Sequence, residues 1–171
     1  MAAIPERLIG FKCYLEGIEL LGVTDVDLPN LEAMTETIKG AGLLGETETP
    51  TVGQYSAMSM TINWRNLVRD ITPLLDPNGH ILEFRGSIQS TDSQTGLLST
   101  KQLRVLTRAK PKSTNIGKGD VSAAMESSSE FTVEYLLTIL GGTPVFEYDP
   151  FNYICRIGGL DILGSARSDI N

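Results

Sequence analysis

Apolar and polar residues alternate strictly from residue 56 to residue 64. One face of this segment carries large apolar side chains, and the other face is small and polar. A period of two is typical of a strand with one buried face and one solvated face. We therefore predict a strand whose core face is Met58, Met60, Ile62 and Trp64, opposite Ala57, Ser59, Thr61 and Asn63.

Residues 130–140 show the same alternation and predict a second strand of this kind. Its expected core face is Phe131, Val133, Tyr135, Leu137 and Ile139, opposite Glu130, Thr132, Glu134, Leu136 and Thr138. Further apolar segments predict strands at residues 8–16, 18–28, 81–89 and 101–110. The first two form a hairpin with its turn at Glu16-Gly17, and two short strands are expected between residues 145 and 163.

The spacing of the apolar residues changes from two to three and four between residues 65 and 75. Apolar residues recur there at intervals of three and four, as they do on one side of a helix. These residues are Leu67, Val68, Ile71, Leu74 and Leu75, and Asp76-Pro77-Asn78-Gly79 supplies a turn that ends the helix. One packed helix among many strands predicts a mainly β sandwich or barrel. The length of 171 residues fits one domain spanning residues 1–171.

A long polar segment interrupts the strands between residues 30 and 55. A structureless segment of about 25 residues is uncommon inside a small domain. An exposed arm with an apolar tip indicates a partner surface. We predict that residues 31–54 form such an arm and reach another copy of the chain, through the tip residues Gly40, Gly42, Leu43, Leu44 and Gly45.

The tip of this arm also matches the G-x-G-x-x-G dinucleotide pattern from residue 40 to residue 45. That chemistry needs a helix N-terminus directly after the glycines. Here Glu46-Thr47-Glu48-Thr49-Pro50 follows, with two carboxylates that repel phosphate and a proline that disfavours a helix. We interpret the glycines as a loop that uses positive φ, and we predict no nucleotide site.

Residues suited to catalysis are scarce. His80 is the only histidine and is expected in a solvated turn, which argues against a Ser-His-Asp site. Cys13 and Cys155 form no C-x-x-C pair and are expected as buried thiols, so a transition metal lacks ligands. Gly117-Lys118-Gly119-Asp120 lacks the remainder of a P-loop. A pair of catalytic carboxylates remains as an alternative, but we predict no enzyme, cofactor or metal.

Charge and composition narrow the function further. The net charge of −7 argues against a protein that grips nucleic acid, because phosphate binding needs clustered Lys and Arg. It is compatible with a surface that DNA slides past. A hydrophobic fraction of 41% indicates a globular chain. The N-terminal residues do not resemble a signal peptide, and no apolar run approaches the roughly 20 residues of a membrane span, so we expect a cytoplasmic protein until assembly.

Several short motifs, in this order and spacing, resemble the major tail tube protein of contractile-tailed bacteriophages and phage-tail-like bacteriocins. The resemblance covers nearly the whole chain. Its motifs are Leu28-Pro29-Asn30-Leu31, Gly40-Ala41-Gly42, Ser59-Met60-Thr61-Ile62-Asn63-Trp64, Phe84-Arg85-Gly86-Ser87, Glu147-Tyr148-Asp149-Pro150 and Gly158-Gly159-Leu160-Asp161.

The resemblance implies a structural subunit with a fold shared by type VI secretion tube proteins. Six subunits would form a ring, and stacked rings would form a hollow tube inside a contractile sheath. The implied partners are other copies, the sheath, baseplate or tail-tip proteins, the tail terminator, and the tape-measure protein followed by DNA, without sequence-specific binding. The implied location is the phage tail. A type VI secretion tube protein and a monomeric ligand-binding β-barrel remain as alternatives.

On this interpretation, the polar faces of the two alternating strands line the lumen. A lining of short polar and acidic side chains gives phosphates no fixed cation to bind. We expect the lumen to be neutral to negative, with Lys101, Arg104 and Arg108 able to pair with Glu130 or Glu134 across strands. The candidate lumen residues are Ser59, Thr61, Asn63, Thr132 and Glu134.

Overall fold

Strands dominate the computed structural model, which describes residues 3–40, 42 and 44–170. Helical structure in these residues is limited to a 3₁₀ helix at Arg69–Leu75 and an α-helix at Gly164–Ile170 (α1). The strands are Ala3–Leu15 (β1), Ile18–Leu20 (β2), Val23–Asp27 (β3), Ala33–Ile38 (β4), Thr47–Tyr55 (β5), Met58–Trp64 (β6), His80–Asp92 (β7), Leu98–Asn115 (β8), Ser127–Leu140 (β9), Thr143–Asp149 (β10), Ile154–Ile157 (β11) and Leu160–Asp161 (β12).

Ten of these strands form one antiparallel sheet, and β4 and β5 form a separate pair. The sheet branches at β9. One edge of β9 pairs with β8 along nearly its whole length. The other edge pairs with β6 over its first half and with β10 over its second half. The sheet can therefore fold over its own core at β9, and the predicted mainly β architecture is confirmed.

The predicted strand at residues 56–64 is confirmed as β6. The side chains of Met58, Met60, Ile62 and Trp64 are all at most 4% exposed. The intervening polar residues of β6 stay accessible to solvent. Phe131 on β9 lies opposite Met60 and is fully buried with it. Each such side chain contributes about 1.5–3 kcal/mol through burial, so this face anchors the core.

The predicted alternation of residues 130–140 is right as far as Glu134 and wrong beyond it. The β8–β9 pairing shifts there, because Arg108 lies opposite Tyr135 whereas Ala109 lies opposite Val133. This leaves Glu134 as the extra residue of a β-bulge, and a bulge reverses the faces of the residues that follow it. Leu136 is consequently buried at 3% exposure. The residues expected on the core face, Tyr135, Leu137 and Ile139, are only half-buried.

The predicted helix at residues 65–75 is shorter and tighter than expected. Val68 is still extended, with φ −117° and ψ 155°, and only Arg69–Leu75 turns into a 3₁₀ helix. Pro73 lies inside this segment and has no N–H to donate to a longer α-helix. Ile71 and Leu74 are buried. The sequence pattern gave no indication of α1 at the C-terminal end.

The predicted hairpin of residues 8–16 and 18–28 also differs in one respect. The turn at Glu16-Gly17 is present, with φ of 49° and 88°. Only β2 pairs with β1, however, and the chain turns again at Gly22, where φ is 78°. The following strand, β3, pairs with β6 instead. The expected second strand is thus divided between two positions in the sheet.

Candidate functional site: a projecting arm and a polar sheet face

The predicted arm is a β-hairpin rather than a loop along most of its length. β4 pairs with β5 through Glu36 opposite Thr49 and Ile38 opposite Thr47. Every residue of β4 is exposed, and so are the first six residues of β5. Because these residues are exposed, the arm projects from the fold with both of its faces accessible. An isolated two-stranded hairpin of this kind is only marginally stable in water.

The base of the arm is fixed to β10 and to the C-terminal segment. The ring of Tyr55 meets the edges of Phe146 and Tyr148, with centroid distances of 5.6 and 5.2 Å. Gly53 adopts φ +64° directly against the side chain of Leu163. Burial of Tyr55 raises the pKa of its hydroxyl. These contacts set the direction in which the arm leaves the sheet.

The two faces of the arm differ in chemistry. Thr35 and Thr37 lie on one face with Glu48, and the Thr35 hydroxyl donates a hydrogen bond to that carboxylate. The alternate residues of β4 lie on the other face, where Met34 and Ile38 are 49% and 48% exposed. Glu36 lies between these two apolar side chains. The second face, which carries Met34, Glu36 and Ile38, is therefore the more apolar one, and we call it the adhesive face.

The four predicted tip residues that the structure describes, Gly40, Gly42, Leu44 and Gly45, lie at the end of this hairpin, away from the core. Gly42 and Gly45 adopt φ of 100° and 117°, which only glycine adopts readily. Gly40 is exposed, and the side chain of Leu44 is completely exposed. Leu43 falls outside the described residues. The contact that we predict for this tip remains a prediction.

All five candidate lumen residues lie on the face of the sheet that is opposite the core. Ser59 lies directly opposite Thr132 in the β6–β9 pairing. The Asn63 side-chain amide donates a hydrogen bond of 2.6 Å to the Asp25 carboxylate on β3. Thr61 and Glu134 are half-buried on the same side. We call this outward surface of β6–β10 the polar sheet face.

Several ion pairs lie on the polar sheet face, but the cation that pairs with each carboxylate differs from the one expected. Glu134 pairs with Lys110 at 2.7 Å, and Glu130 pairs with Lys112 at 2.8 Å. The β8 register places the other cations elsewhere, since Lys101 lies opposite Ile88 on β7. Arg104 instead pairs with Glu83 on β7, and Arg108 lies 3.7 Å from Asp149 on β10. Each of these carboxylates thus has a cationic neighbour.

Glu83 is the most strongly held carboxylate on this face. Arg85 donates two hydrogen bonds to it at 2.8 and 2.9 Å, and Arg104 donates a third. These bonds lower the pKa of Glu83 from 4.5 to about 2. The guanidinium of Arg85 also stacks on Tyr14, 4.4 Å from the ring centroid. The Glu83 carboxylate therefore stays ionised at neutral pH and, with Arg85 and Arg104, holds β7 and β8 together beside Tyr14 of β1.

The candidate catalytic residues do not come together. His80 is 8% exposed, so the expected solvated histidine is wrong. It begins β7 on the core side of the alternation, and its Nε2 lies 3.1 Å from the carbonyl oxygen of Asp76. Cys13 and Cys155 are free, buried thiols as predicted.

Across the described residues, no helix is long and apolar enough to cross a membrane.

Two solved structures that are similar to the chain come from a contractile injection system. The chain is similar to the sheath/tube terminator of an extracellular contractile injection system, PVC, in its extended state. Identity is 14% and the TM-score is 0.54, over 79% of this chain and 96% of that chain. A PVC sheath–tube complex shows 12% identity and a TM-score of 0.48, over 76% and 86% of the two chains. At 14% identity, the first similarity shows a shared fold.

The family relationship comes from the sequence itself. No curated protein sequence is significantly similar to the chain. The profile of the family described as phage tail tube protein FII, however, matches residues 5–170. That match covers nearly the whole chain, which therefore belongs to the phage tail tube protein FII family and is a structural subunit of a tail tube rather than an enzyme.

Proposed function

We propose that this subunit assembles into six-membered rings, and that the rings stack into a hollow tube through which DNA passes when the tail sheath shortens. The proposal combines the family relationship with two features of the isolated chain. One is a long unpaired strand edge, and the other is an arm that lacks a partner surface. Both features are satisfied when copies of the chain assemble.

The unpaired edge belongs to β1. β7 pairs with one side of β1 from Ala3 to Leu15. On the other side, β2 covers only Cys13 to Leu15. Within the part of the chain that the structure describes, no strand pairs with the edge from Ala3 to Lys12. Exposed edges of this length favour pairing with another chain, and a head-to-tail contact that closes gives a ring.

The arm supplies the contact between rings in this proposal. A leucine that loses water on stacking contributes about 1.5–3 kcal/mol, and every subunit of a ring repeats the contact. The fully exposed Leu44 and its neighbour Leu43 are the residues that we assign to it. The exposed residues 33–40 and 44–52 are free to move in a single ring, because their partner is absent.

The polar sheet face lines the tube in this proposal. Ser59, Thr61 and Thr132 present short polar side chains, and the neighbouring Glu130 and Glu134 are paired with Lys112 and Lys110. Paired cations are less available to phosphate than free ones, so DNA can move without a fixed attachment. We propose a lumen that is neutral to negative overall. The tape-measure protein would occupy it before DNA.

The remaining partners follow from the same assembly. We propose that the tail sheath surrounds the tube, that a terminator closes one end, and that baseplate or tail-tip proteins meet the other. The subunit would be made in the host cytoplasm and would end in the phage tail. Of these partners, sheath and terminator proteins are also named for the structures with a similar fold.

Assembly of the purified chain tests the proposal. We expect ring or tube particles of uniform diameter in negative-stain micrographs, and a sedimentation profile that shifts to larger species with concentration. An interface of this kind should bury more than about 1,000 Å² at each junction. A chain that sediments as a monomer at every concentration, and shows no rings, would contradict the proposal.

A further inference from the structure

The adhesive face of the arm carries one acidic group without a counter-charge. Glu46 pairs with Lys39 at 2.5 Å, and Glu48 accepts a hydrogen bond from Thr35. Among the described residues, no cation pairs with Glu36. It lies between Met34 and Ile38, which are each about half exposed. The face thus presents an apolar, acidic, apolar sequence at alternate positions.

A groove elsewhere on the chain has the reciprocal chemistry. It lies between the 3₁₀ helix and the end of β8, with a volume of about 460 Å³. Leu67, Leu75 and Ile116 line it and are 46%, 55% and 61% exposed. Arg69 also lines the groove and is exposed. In the described part of the chain no carboxylate pairs with Arg69, and the adjacent Asp70 accepts a hydrogen bond from the Leu21 N–H. We call this site the arm groove.

We propose that the arm groove receives the adhesive face of the arm of another copy, with Glu36 pairing with Arg69. Met34 and Ile38 then pack against Leu67, Leu75 and Ile116. Alternate residues of a strand are about 6.6 Å apart, so one acidic side chain is flanked at short range by two apolar ones. Both surfaces are exposed in a single chain, so the contact is between copies. This inference rests on the proposed self-assembly and adds the surface that receives the arm.

The charge pair gives this contact its specificity. Apolar packing alone is indifferent to register along the groove. Opposite charges surrounded by apolar side chains fix the register, and like charges in the same position oppose docking strongly. A reversal of either charge should therefore prevent assembly, and a reversal of both should restore it.

Charge reversal tests the inference through four samples: E36R, R69E, the double variant E36R/R69E, and an equimolar mixture of the two single variants. We expect each single variant to raise the concentration needed for tube formation at least about tenfold, because like charges meet at every contact. The double variant should assemble as the wild type does. The mixture should also form tubes, since each variant supplies the surface that complements the other. Tube length and yield are measured by negative-stain microscopy and sedimentation.

Two matched controls separate local effects from general charge effects. Glu32→Arg reverses an exposed acid at the base of the arm, and Arg65→Glu reverses an exposed base just before the 3₁₀ helix. Both controls should assemble normally, and far-UV circular dichroism should be unchanged in all variants. Single variants that assemble like the wild type, or a folded double variant that stays defective while the wild type forms tubes, would overturn the assignment of the groove. A wild-type chain that never assembles would instead overturn the proposed function on which the inference rests.

Discussion

The side chain of Leu163 occupies the position that a Cβ atom on Gly53 would take, with Cδ2 only 2.6 Å from that point. Gly53 also adopts φ +64°, which disfavours any residue with a Cβ. The base of the arm and the C-terminal segment therefore meet at a position that only glycine fits. This contact, together with Tyr55, joins the arm to the sheet.

Substitution of Gly53 by alanine should loosen this junction. The left-handed backbone alone costs an L-residue about 1–2 kcal/mol, and the overlap with Leu163 adds to that. We expect the free energy of unfolding, measured with urea, to fall by about 1–3 kcal/mol. Gly10→Ala is the matched control, because open space surrounds a Cβ at Gly10. Equal stability of the two variants would contradict the proposed junction.

Truncation of Leu136 should destabilise the subunit far more than truncation of Leu137. Leu136 is 3% exposed, whereas Leu137 is half-buried on the polar sheet face. We expect Leu136→Ala to cost about 2–5 kcal/mol, as buried leucines do. Chemical denaturation of both variants provides the comparison. The opposite ranking would show that the bulge at Glu134 is absent.

Stability should depend on the ionisation of Glu83 in acid. Its pKa is lowered from 4.5 to about 2 in the folded chain. A lowered pKa contributes stability that is present above about pH 4.5 and is lost as the pH falls towards 2. Glu83→Gln should therefore lower the free energy of unfolding at neutral pH by about 1–3 kcal/mol, and Tm falls with it. Between pH 4.5 and pH 2 the variant should lose less Tm than the wild type does. Thermal melts at several pH values provide the measurement.

The control for this pH dependence is Glu46→Gln. Glu46 pairs with Lys39 at the tip of the arm, where both side chains are more than 60% exposed. Exposed pairs contribute little to stability. The Glu46 variant should therefore follow the wild-type melting profile. If Glu83→Gln also retained the wild-type acid response, the assigned role of the Glu83 group would be wrong.

Replacement of both tip leucines by aspartate should separate ring formation from ring stacking. Leu43→Asp with Leu44→Asp introduces charge where we propose that leucine loses water, so stacking is lost while the subunit stays folded. Negative-stain images should show single rings in place of tubes. The conservative pair Leu43→Met with Leu44→Met should still form tubes. Normal tube growth by the aspartate variant would remove the role of the tip.

The sequence predicted the elements whose side chains have one clear environment. β6 alternates without interruption because one of its faces meets the core and the other meets solvent, so Met58, Met60, Ile62 and Trp64 could be placed correctly. The Gly42 and Gly45 conformations were also predictable, since positive φ favours glycine. These features depend on local chemistry alone.

Features that depend on pairing between distant strands were not predictable. The bulge at Glu134 arises from the register of β8 against β9, and it changes which leucine is buried. The partners of Arg104 and Arg108 depend on the same register. The hairpin of the arm is hidden in sequence because neither of its faces is buried, so no apolar alternation marks it. Val68 and Pro73 limit the predicted helix in a way that apolar spacing does not reveal.

The central claim is that copies of this chain form a tube with the polar sheet face towards the lumen. Cryo-electron microscopy of tubes assembled from the purified chain tests it most directly. We predict sixfold rings in which Ser59 and Thr132 face the channel and Met58 and Met60 lie in the core of each subunit. Tubes in which the polar sheet face points outwards or lies between subunits, or rings without sixfold symmetry, would contradict the claim.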